Sequence, residues 1–176
     1  VLPDSATPMI RCRVHALSGI SVALTGAAGD ARESLDEAGR LLAEIDSLSP
    51  GTQSAVVGLH ARICTGQERV LQAEIARLIE MARKADTFGL LPYLLGVSAD
   101  VSYRVGAWES AGDGLASVGL ADEYGQRGIL PFCLVISGRL HAARGDTAQA
   151  RDELERGIAI ALEVGSAMVI DWGRAA

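Results

Sequence analysis

Aromatic residues make up only 4% of this 176-residue chain. Alanine, leucine and glycine dominate instead, a composition that favours close-packed helices over a sheet core rich in valine, isoleucine and tyrosine. Lysine is nearly absent: every basic residue but Lys84 is arginine. That bias reads as genomic base composition, because the formal charge is −6 with acids and bases interspersed. A net negative surface repels phosphate backbones, so direct nucleic-acid contact by this segment is not expected. The three cysteines (Cys12, Cys64 and Cys133) lie far apart and lack CxxC spacing. They read as buried thiols of a reducing cytoplasm.

Long hydrophobic runs are missing as well. Mean hydropathy is +0.23, yet the longest uncharged stretch, Val14–Gly29, contains Ser18, Gly19, Ser21, Thr25, Gly26 and Gly29. It is too short and too polar for a membrane span. Asp4 and the absence of a basic start argue against a signal peptide. A cytoplasmic location without membrane contact is expected. The opening Val1 and a stop at Ala176 inside the helical pattern SAMVIDWGRAA lead to the further expectation of a piece of a longer protein.

No GxxxxGK[ST] occurs, so an ATP site is not expected within these residues. Gly26-Ala-Ala-Gly29 and Gly112-Asp-Gly114 suggest phosphate loops only superficially, since each falls at a helix junction or on a helix. His15, His60 and His141 are dispersed without HxxxH spacing, and no metal site or cofactor is expected. Cys64 and His60 lie one helical turn apart, but no orienting third group or oxyanion donor is identifiable. A nucleophile elbow fails at Gly96-x-Ser98, where Asp100 stands in place of the second glycine. The chain is expected not to be an enzyme.

What is present is repetition. LLPYLLGVSADVSYRVG (90–106) and ILPFCLVISGRLHAARG (129–145) share a Leu-Pro-aromatic start, a serine and a closing glycine, 39 positions apart. Gly29, Gly66, Gly106 and Gly145 extend this series with spacings of 37, 40 and 39. A second series, Gly89, Gly125 and Gly165, carries an alanine four residues before each glycine. Two interleaved series with one period describe a repeated helical hairpin. Glycine ends the first helix in the left-handed conformation, and Asp30 or Asp146 caps the second in a D-x-x-E/Q box with Glu33 or Gln149. Ser49-Pro50, Pro92 and Pro131 mark first turns.

The periodicity predicts helices at about 8–28, 31–47, 51–65, 69–86, 90–105, 108–124, 129–144, 147–164 and 167–176. Ala150, Leu154, Gly157, Ile158 and Ala161 form one buried stripe, matched one unit earlier by Ala111, Leu115 and Val118. The charges of 121–124 and 151–156 read as solvated helix faces.

The unit formed by Gly138, Gly145, Ala150 and Gly157 resembles a tetratricopeptide-type repeat. Ala99, Gly106 and Ala111 occupy its small positions one unit earlier, with Val118 in the last slot. Leu71 departs from the pattern in the second unit. The expected fold is all-α, a single domain over 1–176: a right-handed superhelix of four helical hairpins and part of a fifth. With its long period, and phrases such as HAARGDTAQARDELERGIAIALEVG (141–165), the chain resembles the helical-repeat region of large LuxR-type, MalT-like transcriptional regulators. The pattern runs through the whole chain and is closest over 89–165.

That resemblance implies a nucleotide-binding module before the repeats, a helix-turn-helix after them, and repeats that bind an inducer or a partner protein. The alternative is a general scaffold whose concave groove holds a peptide or a neighbouring domain. Counting back from the turn glycines projects His60, Tyr93, Asp100, Tyr103, Phe132 and Arg139 into that groove. Tyr93 and Phe132 are equally readable as packing between hairpins. A homo-oligomer is compatible with this reading.

Overall fold

The computed structural model describes residues 6–48, 56, 58–85, 89–108 and 112–176. All regular structure among them is helical: α1 (Pro8–Leu24), α2 (Ala28–Ala43), α3 (Gly58–Cys64), α4 (Glu68–Lys84), α5 (Leu91–Arg104), α6 (Gly112–Glu123), α7 (Leu130–Ala143), α8 (Thr147–Val164) and α9 (Ala167–Arg174). Successive helices pack in adjacent pairs, as an all-α helical-repeat fold requires. No helix among the described residues is long and apolar enough to cross a membrane. The chain divides into two compact units, Val1–Arg77 and Leu78–Ala176. The expected start at Ser49-Pro50 and the expected small residue Ala111 lie outside the described residues.

Local chemistry explains most helix ends. Thr7 caps α1 by accepting from the Ile10 amide at 3.4 Å, with Pro8 in the first turn. Pro92 and Pro131 occupy the first turns of α5 and α7, where a missing amide hydrogen costs nothing. At the α7–α8 turn, Gly145 takes φ 83°. The Asp146 amide then donates to the His141 carbonyl at 2.9 Å, and the Asp146 carboxylate accepts from the Gln149 amide at 3.3 Å. One helix is thereby closed and the next opened within two residues.

The first turn differs from expectation. Gly26, at φ 85°, is the left-handed residue, whereas Gly29 lies inside α2 and Ala27 is the N-cap. Asp30 is therefore an acid in the first turn, placed to complement the helix dipole, rather than the cap. The corrected turn series, Gly26, Gly66, Gly106 and Gly145, is spaced 40, 40 and 39. It is more regular than the series read from the sequence.

In the first unit α1 and α2 bury Cys12, Ala16, Ala31, Leu35, Leu41 and Leu42. A Cβ on Gly19 would stand 2.6 Å from the Leu35 side chain, so glycine is what lets these helices approach. In the second unit the same device recurs. A Cβ on Gly138 would meet Leu154 Cγ at 2.8 Å and the Ala150 carbonyl at 3.2 Å. One on Gly114 would meet Leu140 Cδ1 at 2.8 Å and Ala99 Cβ at 3.3 Å.

The buried face of α6 is also a correction. Gly114, Ser117 and Ala121 point inward, while Leu115 is 47% exposed and Val118 only half-buried. The closing glycines Gly125 and Gly165 are 40 apart rather than 39, which aligns Ser117, not Val118, with Gly157. The slot holds a small residue after all. Alanine substitution at the first turn checks its register. At Gly26 it should cost about 1–2 kcal/mol, the penalty of a left-handed L-residue. At Gly29, where a Cβ meets nothing within 4 Å, it should stabilise by up to about 1 kcal/mol in urea unfolding.

Candidate functional site

The structure divides the expected groove set. His60 lies in α3 of the first unit and is buried, while the other five residues belong to α5 and α7 of the second. Tyr93 and Phe132 pair with ring centroids 5.5 Å apart and planes tilted by 37°. Phe132 is buried, and a Cβ on Gly96 would stand 2.7 Å from its Cε1. The ring therefore fills the space that Gly96 leaves, as part of the α5–α7 packing rather than of an open groove.

Asp100 is likewise turned inward. Its side chain is 1% exposed, and it accepts from Arg104 Nε at 3.1 Å, one helical turn along. Arg139 is half-buried and donates to the Trp172 carbonyl at 3.2 Å, tying α7 to the last turn of α9. Three members of the set keep partial exposure: Tyr93, Tyr103 and Arg139.

Around Tyr103 the structure assembles a surface that the sequence pattern does not mark. Trp108 is 41% exposed and Val105 is 40% exposed. The Trp108 indole donates to the Tyr103 carbonyl at 2.9 Å, and the Trp108 carbonyl accepts from Arg144 Nε at 3.0 Å and also from Arg144 Nη2. The indole is thus anchored at its polar edge and through its backbone while its face stays open. Partly exposed Arg104 stands at the end of the same helix. An open aromatic face near guanidinium groups suits a ligand or peptide with an apolar body and an anionic or aromatic end.

The first unit contributes a polar cleft of about 930 Å³, lined by Arg11, His15, Arg32, Asp36, Glu37 and Arg40 among others. Arg40 grips both Glu37 oxygens at 2.7 and 2.8 Å and holds that carboxyl below its ordinary range. Asp36 leads inward from the cleft: it accepts from Gln67 at 2.9 Å, Gln67 accepts from Arg62 Nε at 2.9 Å, and Arg62 reaches Glu74 at 2.6 Å. The Arg62 side chain is 7% exposed and a Cβ on Gly39 would stand 2.5 Å from its Nη1. Gly39 makes room for a guanidinium in the core, and the pairing keeps that charge from being stranded. The cleft floor is thus a fixed polar relay.

At the α7–α8 turn, His141 Nδ1 lies 3.4 Å from Asp146 and Nε2 lies 3.8 Å from Glu153. Gln149 donates to Glu153 at 3.2 Å. This arrangement braces the turn. Among the described residues no three His, Cys, Asp or Glu side chains converge as a metal-binding group. The Cys64 side chain lies outside the described residues, so its pairing with His60 has no geometry to report. Comparison with protein-family models, with curated proteins and with solved structures finds no match.

The described thiols are buried. Burial pushes the Cys133 thiol up to about 12 and the Cys12 thiol up to about 11 from an ordinary value of 9.0. Cys12 also donates to the Ala38 carbonyl at 3.3 Å. Above pH 9.0 the unfolded chain loses the Cys133 proton while the folded chain keeps it, up to about pH 12. Stability contributed by this group therefore falls as pH rises through that window, by up to about 1.4 kcal/mol per unit. Cys133→Ala should show a shallower loss of urea midpoint above pH 9.0 than the parent chain; identical slopes would show the thiol is not protected.

Proposed function

We propose that this chain is a non-catalytic helical-repeat segment of a LuxR-type, MalT-like transcriptional regulator, binding a small-molecule inducer or a protein partner in the cytoplasm. The observation that carries the reading is the anchored, open-faced Trp108 beside Tyr103. It stands on a frame of repeated hairpins whose turns are specified residue by residue. The repeat frame supplies rigidity, and the connection between α5 and α6 supplies a surface that is not dictated by packing. Exposed aromatics held by hydrogen bonds give large contact area at low entropic cost.

In this reading no cofactor is bound by these residues, and DNA contact belongs to a helix-turn-helix elsewhere in the parent protein. The ligand acts by preferring one state of the parent, because binding both states equally would switch nothing. Of the residues projected from the sequence, Tyr103 is retained as a contact. Phe132, Asp100 and His60 act through the packing around it or apart from it.

The coding sequence on either side of the segment is the direct test. A phosphate-binding loop upstream and a helix-turn-helix downstream are expected; absence of both would leave only a general scaffold. Within a parent that has both, Trp108→Ala should abolish inducer-dependent transcription while leaving the segment folded, at a stability cost of about 1 kcal/mol for the lost indole hydrogen bond. Full induction by that variant would remove the α5–α6 surface from the site.

A further inference from the structure

Trp108 and Arg144 each depart from the repeat at a turn position, and the two departures meet. Two positions after the turn glycines Gly26, Gly66 and Gly145 stand Ala28, Glu68 and Thr147, the first residues of α2, α4 and α8. None is aromatic, so the repeat does not ask for an indole where Trp108 follows Gly106. One position before the four glycines stand Thr25, Thr65, Val105 and Arg144. Thr25 and Thr65 donate their hydroxyls to their own helix ends, to the Val22 carbonyl at 2.7 Å and the Arg62 carbonyl at 3.0 Å. Arg144 instead reaches 36 positions back, where the Trp108 carbonyl accepts from its Nε at 3.0 Å and also from its Nη2.

We propose that Arg144 is the positioning residue of the Trp108 surface: its guanidinium holds the Trp108 peptide so that the indole face is presented already ordered. What that face binds rests on the regulator reading above; the hold itself does not. The bonds of the α5 turn run as far as Ala107, with the Gly106 amide donating to the Tyr103 carbonyl at 3.2 Å and the Ala107 amide to the Ser102 carbonyl at 2.8 Å. Trp108 is the next residue. Its indole N–H is tied to the Tyr103 carbonyl at 2.9 Å, and Arg144 ties its backbone. With both ends held, the indole cannot rotate about its side-chain bonds without giving up one anchor.

The other end of the hold is fixed too. Arg144 is the C-cap of α7, and its amide donates to the Leu140 and His141 carbonyls at 3.1 and 3.2 Å. Two donors of one planar fork on a single oxygen set direction as well as distance, which the point charge of lysine does not. Helix closure does not call for this bond. Arg32 and Arg139 reach the Thr65 and Trp172 carbonyls, which lie at or beside helix ends that need donors. Trp108 lies three residues beyond Val105, the C-cap of α5. An indole held in this way spares a ligand the cost of ordering it.

Time-resolved fluorescence anisotropy reads the hold in the 176-residue chain carrying Trp172→Phe, which leaves Trp108 as the one tryptophan. Arg144→Thr installs the residue that the first two turns use, keeping the cap and losing the reach. Arg144→Lys keeps charge and length and loses the fork. With arginine present the indole should tumble with the whole molecule. Arg144→Thr should add a fast decay of local motion, and Arg144→Lys a smaller one, both at unchanged helical content by circular dichroism. An Arg144→Thr decay equal to the parent's would overturn the proposal, as would a lysine variant looser than the threonine one. Loss of helical content in Arg144→Thr would also overturn it, by making Arg144 a residue of the fold. The readout needs no ligand, so the two failures are distinct. Full induction by Trp108→Ala would dismiss the surface as a binding site, and an unchanged anisotropy decay would dismiss the hold of Arg144 on it.

Discussion

Helix-to-helix distance within the α1–α2, α5–α6 and α7–α8 hairpins depends on side chains that are not there. Where Gly138 faces Leu154 and the Ala150 carbonyl, and where Gly114 faces Leu140 and Ala99, even one added carbon would intrude. Gly157 repeats the arrangement against the Pro131 carbonyl and Val135, each 3.3 Å from where a Cβ would stand. Close approach brings backbones within dispersion range, with large neighbours such as Leu134 and Ile136 fully buried beside them. The turn glycines serve the same end from the other direction. A helix that stops at a left-handed residue returns the chain at once, and the 6→1 bond from the Asp146 amide to the His141 carbonyl satisfies one of the carbonyls the helix end leaves over.

Arginine then stitches one hairpin to the next. In the first unit Arg32 donates to the Thr65 carbonyl at 2.8 Å. Arg77 reaches the Leu42 and Ile45 carbonyls at 2.8 and 2.9 Å. In the second, Arg139 takes the Trp172 carbonyl and Arg144 takes that of Trp108. Most of these acceptors lie in or just after a helix's last turn, where carbonyls lack intrahelical partners and the dipole favours a cation. Arg77 satisfies two acceptors at once, which a lysine's point charge does less well. The near absence of lysine, read from composition as a genomic bias, thus has a structural use at these positions.

Legibility in the sequence followed the range of the chemistry involved. Pro92, Pro131, Gly145 and Asp146 were readable because each acts within a turn of its own position. Gly29 was misread because GAAG offers two glycines, and the choice depends on where α1 stops rather than on the motif. The α6 face was misread because Gly114, Ser117 and Ala121 carry little hydropathy, whereas Leu115 and Val118 do. Counting from turn glycines projected Asp100 and Arg139 into a groove and did not reveal their partners, Arg104 one turn on and Trp172 a helix away. Trp108 sits in a connection without periodicity, so no pattern pointed to it. Its exposure and its anchoring are products of the fold.

A frame specified by small residues leaves the connections free to vary, which is why the proposed contact surface lies at the α5–α6 junction and not on a helix face. The claim beneath all of this is that steric room at Gly138 sets the α7–α8 distance. A double-mutant cycle between Gly138→Ala and Leu154→Ala, read by urea unfolding, tests it most directly. Helix-propensity changes cancel in the cycle, and only the coupling between the two positions remains. The account predicts that Leu154→Ala relieves the crowding made by Gly138→Ala, with a favourable coupling of at least about 1 kcal/mol. Strict additivity would contradict it.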